Sequence, residues 1–427
     1  MWVATVAVAS TICGEAATRG WREVDGMLLA PETGELDHAM DPLAQAQFRR
    51  VISALRDRQV DVVVVIVPPR PRVVVSPGAS TPPPRYWLAD RARFTGTLSW
   101  FQSAGAHAPD LFALGVEMRD RGAALFRPDD GHFSAAGSLA AAGVIAEEIR
   151  GIQAWTWLGQ SPRRLAQQGE RTSPAGLLAR QLAEVCGTKA KAEFRQPHYA
   201  LDELQVDSSM LLADEPYAEV VMASSSFGHP MYYLPQALEA ELGTPVLNFT
   251  VAGGHVTSPL RYWLESADYR NHVPDVLVWV FTVTHLFGGT ADHSGSLSSA
   301  AGFRQLLPLV DGPCEAAEAT RTLDVRPNGT LLAPGEAGLS AAGHYLVVEG
   351  DPLRASRYAV QITYGSGATE RLSLPPDELI PLRERATLEF EQSSGTVEFI
   401  RLHVPEGTSL EGVRARVCSY RGASTAR

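Results

Sequence analysis

The chain has 427 residues, 45% hydrophobic and 20% charged, with a formal net charge of -11. Its length exceeds one ordinary domain, and its apolar content suffices for more than one buried core. The acidic balance argues against a nucleic-acid partner, which needs clustered Lys and Arg, although a local basic groove can still receive an anionic polymer.

No run of 18 or more apolar residues occurs, so the sequence predicts no membrane span and does not read as an integral membrane protein. Met1 to Cys13 is apolar but lacks a basic leader, and reads as a buried segment of a mature protein. Residues 44–58 carry Phe48, Val51, Ile52 and Leu55 at helical spacing. VDVVVVIV at 60–67 suits a strand buried on both faces of a parallel sheet. The proline-dense stretch that follows predicts a long surface loop without helix, near the strand end where open α/β sheets bind ligands. Residues 135–149 read as an Ala-rich helix.

The rhythm repeats with strands at 219–223, 244–251 and 274–283 and a helix over 232–242. This alternation predicts a doubly wound parallel sheet. After residue 312 the texture changes to short alternating segments separated by Gly, Pro and Asn: YLVVEG, RYAVQITYG, RATLEFEQ, TVEFIRLHV and VRARVCSY. They predict a β-sandwich, a class often used for carbohydrate binding. The expected division is an α/β catalytic domain over 1–311 and an all-β carbohydrate-binding domain over 312–427.

Cys13, Cys186, Cys314 and Cys418 form no CxxC pair, so zinc and thioredoxin-like sites are not indicated. Four spread cysteines suit two disulfides in an oxidising compartment, with three pairings open. Sequential pairing would staple each domain separately, and a bridge from Cys314 to Cys418 would be worth roughly 4–5 kcal/mol in the chain-entropy account.

Three segments carry chemistry. In EVVMASSSFG, serines follow a buried strand and precede a helix, a turn that exposes a nucleophile above the sheet. Ser226 is the first candidate, with Ser225 and Ser224 behind it. In RPDDGHFSAAGS, one short loop supplies a base, His132, and a carboxylate to orient it, Asp130, with Asp129 as rival in DxxH spacing. In VLNFTVAGG, Asn248 and then Gly253 and Gly254 follow a strand, and glycine there lets a backbone N–H reach a reacting carbonyl.

These pieces resemble the SGNH hydrolase superfamily, in which the serine follows the first strand and an N-x-x-x-x-G stretch the second. Here the Asp–His block precedes the serine, a permuted order similar to the alginate O-acetyltransferases of the AlgX and AlgJ type. That family's early DGW-LF stretch is similar to Asp25 to Leu29, and its VPP segment to Val67-Pro68-Pro69. Its D-x-H-W-S-x-x-G block resembles Asp130 to Gly137, and its G-T-S-[FY]-S block resembles Ser224 to Gly228. Its VLN stretch and its P-x-V-L-I-W strand resemble Val246 to Asn248 and Pro274 to Trp279. Phe133 departs from the family Trp, and Thr284 or His285 falls where hydrolases often carry a third-strand Asn.

The resemblance implies a periplasmic polysaccharide O-acetyltransferase with Ser226, His132 and Asp130 as triad and the N–H groups of Ser226 and Gly253 as oxyanion donors. It further implies an acetyl donor delivered by membrane acetylation machinery, aromatic and basic residues that hold the polymer, for which Tyr232, Tyr233 and Arg261 lie near the motifs, and no metal or bound cofactor. A disulfide in each domain, Cys13–Cys186 and Cys314–Cys418, fits the same family. A carbohydrate esterase with the same triad and a non-catalytic polysaccharide-binding scaffold are the competing readings.

Overall fold

The computed structural model describes residues 12–31, 40, 42–75, 87–152, 163–190, 194–202, 219–287, 300–312, 314–353, 358–374, 385–390 and 395–420. Its chain packs as two units, one of residues 1–42, 58–256 and 272–289, the other of residues 43–57, 257–271 and 290–427.

After a short helix, Gly14–Thr18, the first unit forms a hairpin, β1 (Arg22–Val24) and β2 (Met27–Leu29), turning on Asp25 and Gly26. Next come β3 (Asp61–Val67), an antiparallel ribbon of β4 (Leu165–Ser173) and β5 (Phe194–Leu201), then β6 (Val220–Ser224), β7 (Val246–Thr250) and β8 (Val276–Thr282). Strands β3, β8, β6 and β7 form one parallel sheet in that spatial order. Val62 to Ile66 and Val276 to Phe281 are fully buried, as their unbroken apolar runs require. Helices Leu111–Asp120 and Ala135–Ile152 pack on β3, and Leu234–Leu242 packs on β7.

Register brings strand ends together: Ser224, the last residue of β6, lies beside Thr250 of β7 on one side and Val280 of β8 on the other. The loops after these three strands therefore emerge at one edge.

One expectation changes here. The proline-dense stretch does hold a helix, Arg70–Val74, with Arg70, Arg72 and Val73 buried. Pro69 caps it and Pro71 sits in its first turn, where proline loses no intrahelical bond. The ribbon also carried no readable pattern, because nearly all of β4 is exposed and lacks apolar alternation. The expected burial of Met1 to Cys13 lies outside the described residues up to residue 11.

The second unit is a sandwich. One antiparallel sheet runs β15 (Arg385–Glu389), β12 (His344–Glu349), β17 (Arg414–Ser419), β9 (Arg321–Leu323). The other runs β10 (Thr330–Leu332), β16 (Thr396–His403), β13 (Tyr358–Tyr364), β14 (Thr369–Leu374), with β11 (Leu339–Ser340) also on β16. Leu346, Val348, Leu388 and Val417 meet Val360, Ile362, Leu374 and Ile400 in one buried core.

The expected boundary at 311/312 differs from this division, because three helices pack with the sandwich: Pro42–Asp57, Thr257–Glu265 and Ala300–Asp311. Arg50 donates to the buried Glu389 carboxylate at 2.8 Å, and Arg304 donates to the Glu389 carbonyl at 2.8 Å. Phe48 and Phe303 meet edge to face at 4.7 Å, and the Tyr269 hydroxyl donates to the Val310 carbonyl at 2.6 Å. Cys13–Cys186 and Cys314–Cys418 are both bonded, one in each unit, with Cα separations of 5.8 and 6.4 Å.

Candidate active site

Residues 126–133 form a tight excursion closed by a bridge between Phe126 and Phe133 and by the Arg127 N–H donating to the His132 carbonyl at 2.9 Å. The Ser134 hydroxyl then accepts the Gly137 N–H at 2.9 Å and starts the helix Ala135–Ile152. Phe133 is fully buried against Phe126 and Phe227. It does the packing a tryptophan would do there.

Within this loop the paired aspartates separate. Asp130 Oδ1 lies 2.7 Å from Nδ1 of His132, and its other oxygen accepts the Leu177 N–H at 3.2 Å. Burial raises the Asp130 pKa, but the His132 hydrogen bond and charge, the Leu177 N–H and Arg127 overcome this and hold it at about 2. A carboxylate only accepts, so Nδ1 carries the proton and Nε2 is left as an acceptor. The Ser226 Oγ lies 2.7 Å from that Nε2.

Asp129 instead accepts from Arg127 at 3.1 and 3.2 Å and from the Gly176 N–H at 2.7 Å, with both side chains of the ion pair 1% exposed. A Cβ on Gly176 would stand 2.3 Å from the Asp129 carbonyl oxygen, so the backbone closes here only on glycine. Arg70, just after the VPP segment, donates to the carbonyls of Leu28, Arg127 and Pro128, and the Leu28 N–H donates to the Pro128 carbonyl at 2.9 Å. The early hairpin and the post-β3 helix thus hold the Asp–His loop from behind.

Ser226 opens a short 3₁₀ turn, Ser226–Gly228, directly after β6. The Ser225 N–H donates to the Val280 carbonyl at 3.0 Å. Ser224 and Ser225 are 0% and 2% exposed, and among the described residues their hydroxyls have no partner. Of the three serines, Ser226 alone meets the imidazole. Gly228 admits no side chain, since a Cβ would lie 2.3 Å from Thr250 Oγ1 and 2.5 Å from Ser224 Cβ. Asn248 donates to the Gly228 carbonyl at 2.9 Å and accepts from the Thr250 hydroxyl at 2.7 Å, so it ties β7 to the serine turn.

Gly253 has φ +73° in the loop after β7, and the next N–H, of Gly254, donates to Val251. Among the described residues neither the Ser226 nor the Gly253 N–H donates a backbone hydrogen bond. Past β8, Thr284 shares a hydrogen bond with Thr282 at 2.8 Å. The His285 ring meets His255 edge to face at 4.3 Å. Burial, then the charge of His255, lowers the His285 pKa to about 4, keeping it neutral.

Two of the residues expected to hold polymer, Tyr232 and Arg261, lie in different units. The Tyr232 ring is largely buried and stacks face to face on His132, centroids 4.3 Å apart and planes 11° from parallel. Its hydroxyl is pushed up to about 12 by burial and by the Asp130 charge. Arg261 belongs to the second unit, is 2% exposed, and donates to Glu265 at 2.9 Å. The guanidinium thus pairs within its own helix. No sequence signal marked Gly176, whereas Arg127 stood inside the same RPDDGH motif. Among the described residues no group of three or more His, Cys, Asp or Glu side chains could hold a metal.

A parallel α/β sheet carrying a serine–histidine–aspartate relay at its C-terminal edge, with the Asp–His loop ahead of the serine, defines an SGNH hydrolase-like protein of permuted order. A sandwich follows it. The chain belongs to the family described as SGNH hydrolase-like domain, acetyltransferase AlgX, whose model matches residues 28–283. The alginate biosynthesis protein AlgX of Pseudomonas aeruginosa is 24% identical over 336 residues, covering 77% of this chain and 65% of that protein. The solved structure of P. aeruginosa AlgX superposes with a TM-score of 0.75 at 21% identity, covering 93% of both chains. The O-acetyltransferase domain of Pseudomonas putida AlgJ superposes at 0.53 with 22% identity, covering 68% of this chain and 99% of that one.

Proposed function

We propose that the protein transfers acetyl groups onto hydroxyls of an exopolysaccharide, alginate or a similar polymer, through an acetyl-serine at Ser226. The observation that carries this reading is the unbroken relay from Asp130 to His132 to Ser226, with both contacts at 2.7 Å. His132 Nε2 takes the Ser226 proton as Oγ attacks the donor's carbonyl carbon. The Ser226 and Gly253 N–H groups hold the resulting oxyanion. On collapse the donor's leaving group departs with the proton from His132. A sugar hydroxyl then gives its proton to the same nitrogen, attacks the acetyl carbon, and Ser226 leaves reprotonated.

The compartment is read as the periplasm, in keeping with two disulfides and with no described helix long and apolar enough to cross a membrane. The acetyl donor is then supplied by membrane acetylation machinery.

The sandwich is read as the polymer-holding domain. On β13, Gln361 lies directly between Arg401 of β16 and Arg371 of β14. His403 shares a hydrogen bond with Gln361 at 2.8 Å, and burial with the nearby Arg371 and Arg401 charges holds its pKa below the ordinary value. A cationic polar row across neighbouring strands suits an anionic sugar chain.

The test is intact mass after exposure to an activated acetyl ester. Wild type should gain one acetyl group and Ser226→Ala none; an unmodified wild type would defeat the mechanism. Adding alginate oligosaccharide should yield acetylated sugar, whereas release of acetate alone would make the protein an esterase.

A further inference from the structure

We infer that Tyr233, clamped by His198, is a positioning residue whose left-handed backbone sets Tyr232 on the face of His132 and so fixes the imidazole plane. The inference rests on the reading of Ser226 and His132 above and adds to it a support outside the triad.

The chain path carries the argument. Tyr233 has φ +68° and ψ -1°, a conformation unfavourable for a bulky side chain that persists only when its surroundings hold it. Its N–H donates to the Pro230 carbonyl at 3.2 Å and its carbonyl accepts the Ala237 N–H at 2.8 Å, so this one residue turns the chain from the serine turn into the helix Leu234–Leu242. The Tyr233 ring is 2% exposed. Its hydroxyl shares a hydrogen bond with Nδ1 of His198 at 3.1 Å, and Tyr199 meets it edge to face at 5.7 Å. Both partners stand on β5, so the ribbon anchors the turn.

The residue just before the strained position is Tyr232, stacked on His132 at 4.3 Å and 11°. Two in-plane hydrogen bonds, to Asp130 and Ser226, leave the imidazole free to rock about the line joining them. A parallel ring on its face removes that motion. The need is greatest once Ser226 is acetylated, because its hydroxyl hydrogen bond is then gone and the base rests on Asp130, the stacked Tyr232 ring and the tilted Phe227 ring at 5.1 Å for the second step.

Two measurements test this on the full chain. In 13C-histidine-labelled protein, the His132 Cε1–H signal, assigned with His132→Gln, should be shifted upfield by the Tyr232 ring. Tyr233→Phe and His198→Leu should both abolish that shift. Both should still acetylate Ser226 to full amplitude with activated ester, yet lose the acetyl group to water about tenfold more slowly, as misorientation of a base requires. His198→Asn, which keeps a hydrogen-bonding atom near the place of Nδ1, should restore both readouts. An unchanged signal and unchanged deacetylation in Tyr233→Phe and His198→Leu would overturn the inference, as would failure of His198→Asn to restore them. A wild type that never acetylates defeats the reading of Ser226 instead, and the ring signal then decides the clamp alone.

Discussion

Asp129 and Asp130 are neighbours in the chain whose carboxylates serve opposite ends of one loop: Asp129 closes on Arg127 and the Gly176 amide, and Asp130 closes on His132 and the Leu177 amide. One folds the loop and the other orients the base. Asp130→Asn should lower the rate of Ser226 acetylation by about 10³–10⁴-fold, because an amide favours the wrong imidazole tautomer, with a stability loss of about 2 kcal/mol at neutral pH. Asp129→Asn should destabilise the fold by about 3–5 kcal/mol, since it leaves Arg127 buried without its counter-charge. Acetylation kinetics beside urea unfolding separates the two; the reverse pattern would exchange their roles.

The pH dependence of stability follows from Asp130. Its pKa falls from 3.8 to about 2 on folding, so its contribution is complete above 3.8 and is lost as pH drops through 2. The depression corresponds to about 2 kcal/mol. Unfolding free energies of wild type and Asp130→Asn should run parallel between pH 6 and 5 and converge below pH 4. Curves that stay parallel to pH 2 would show that the carboxylate gains nothing from its partners.

Gly228→Ala tests the serine turn. The added methyl would meet Thr250 Oγ1 at 2.3 Å, and the turn must shift to admit it. Displacing Ser226 by a fraction of an ångström to an ångström should cost about 10- to 100-fold in acetylation rate. The same substitution at Gly131, where a Cβ meets nothing within 4 Å, should be far milder.

Opening the Cys314–Cys418 bridge, which spans 104 residues, should cost the second unit about 4–5 kcal/mol. Cys314→Ser/Cys418→Ser should therefore show a lowered unfolding midpoint. Ester-driven acetylation of Ser226 at low temperature should be retained.

Arg371→Ala/Arg401→Ala should weaken binding of alginate oligosaccharide by about tenfold at low salt, with the difference shrinking as salt rises, because exposed charges are screened. Its rate with a small activated ester should stay that of wild type. Isothermal titration at two ionic strengths decides it, and equal affinities would move the polymer site elsewhere.

Local chemistry was legible in the sequence wherever it is written in consecutive residues. The unbroken valines of β3 declared a strand buried on both faces, and the alternating segments after residue 312 declared a sandwich. Ser226 and His132 stood out because a nucleophile after a strand and a base beside a carboxylate are short-range patterns. What tertiary structure alone decided were the choices between equivalent residues and the supports that arrive from far along the chain. Asp130 was separated from Asp129 by which amide each one meets, Leu177 or Gly176, 47 positions downstream. Ser226 was separated from Ser224 and Ser225 by burial at the end of β6. The pairing of Arg261 with Glu265 and the stacking of Tyr232 on His132 were likewise visible only in the fold. Pattern reports which side chains a segment presents to its neighbours. Only the folded chain reports which neighbours are there, because these contacts join residues whose separation in sequence carries no periodic signal.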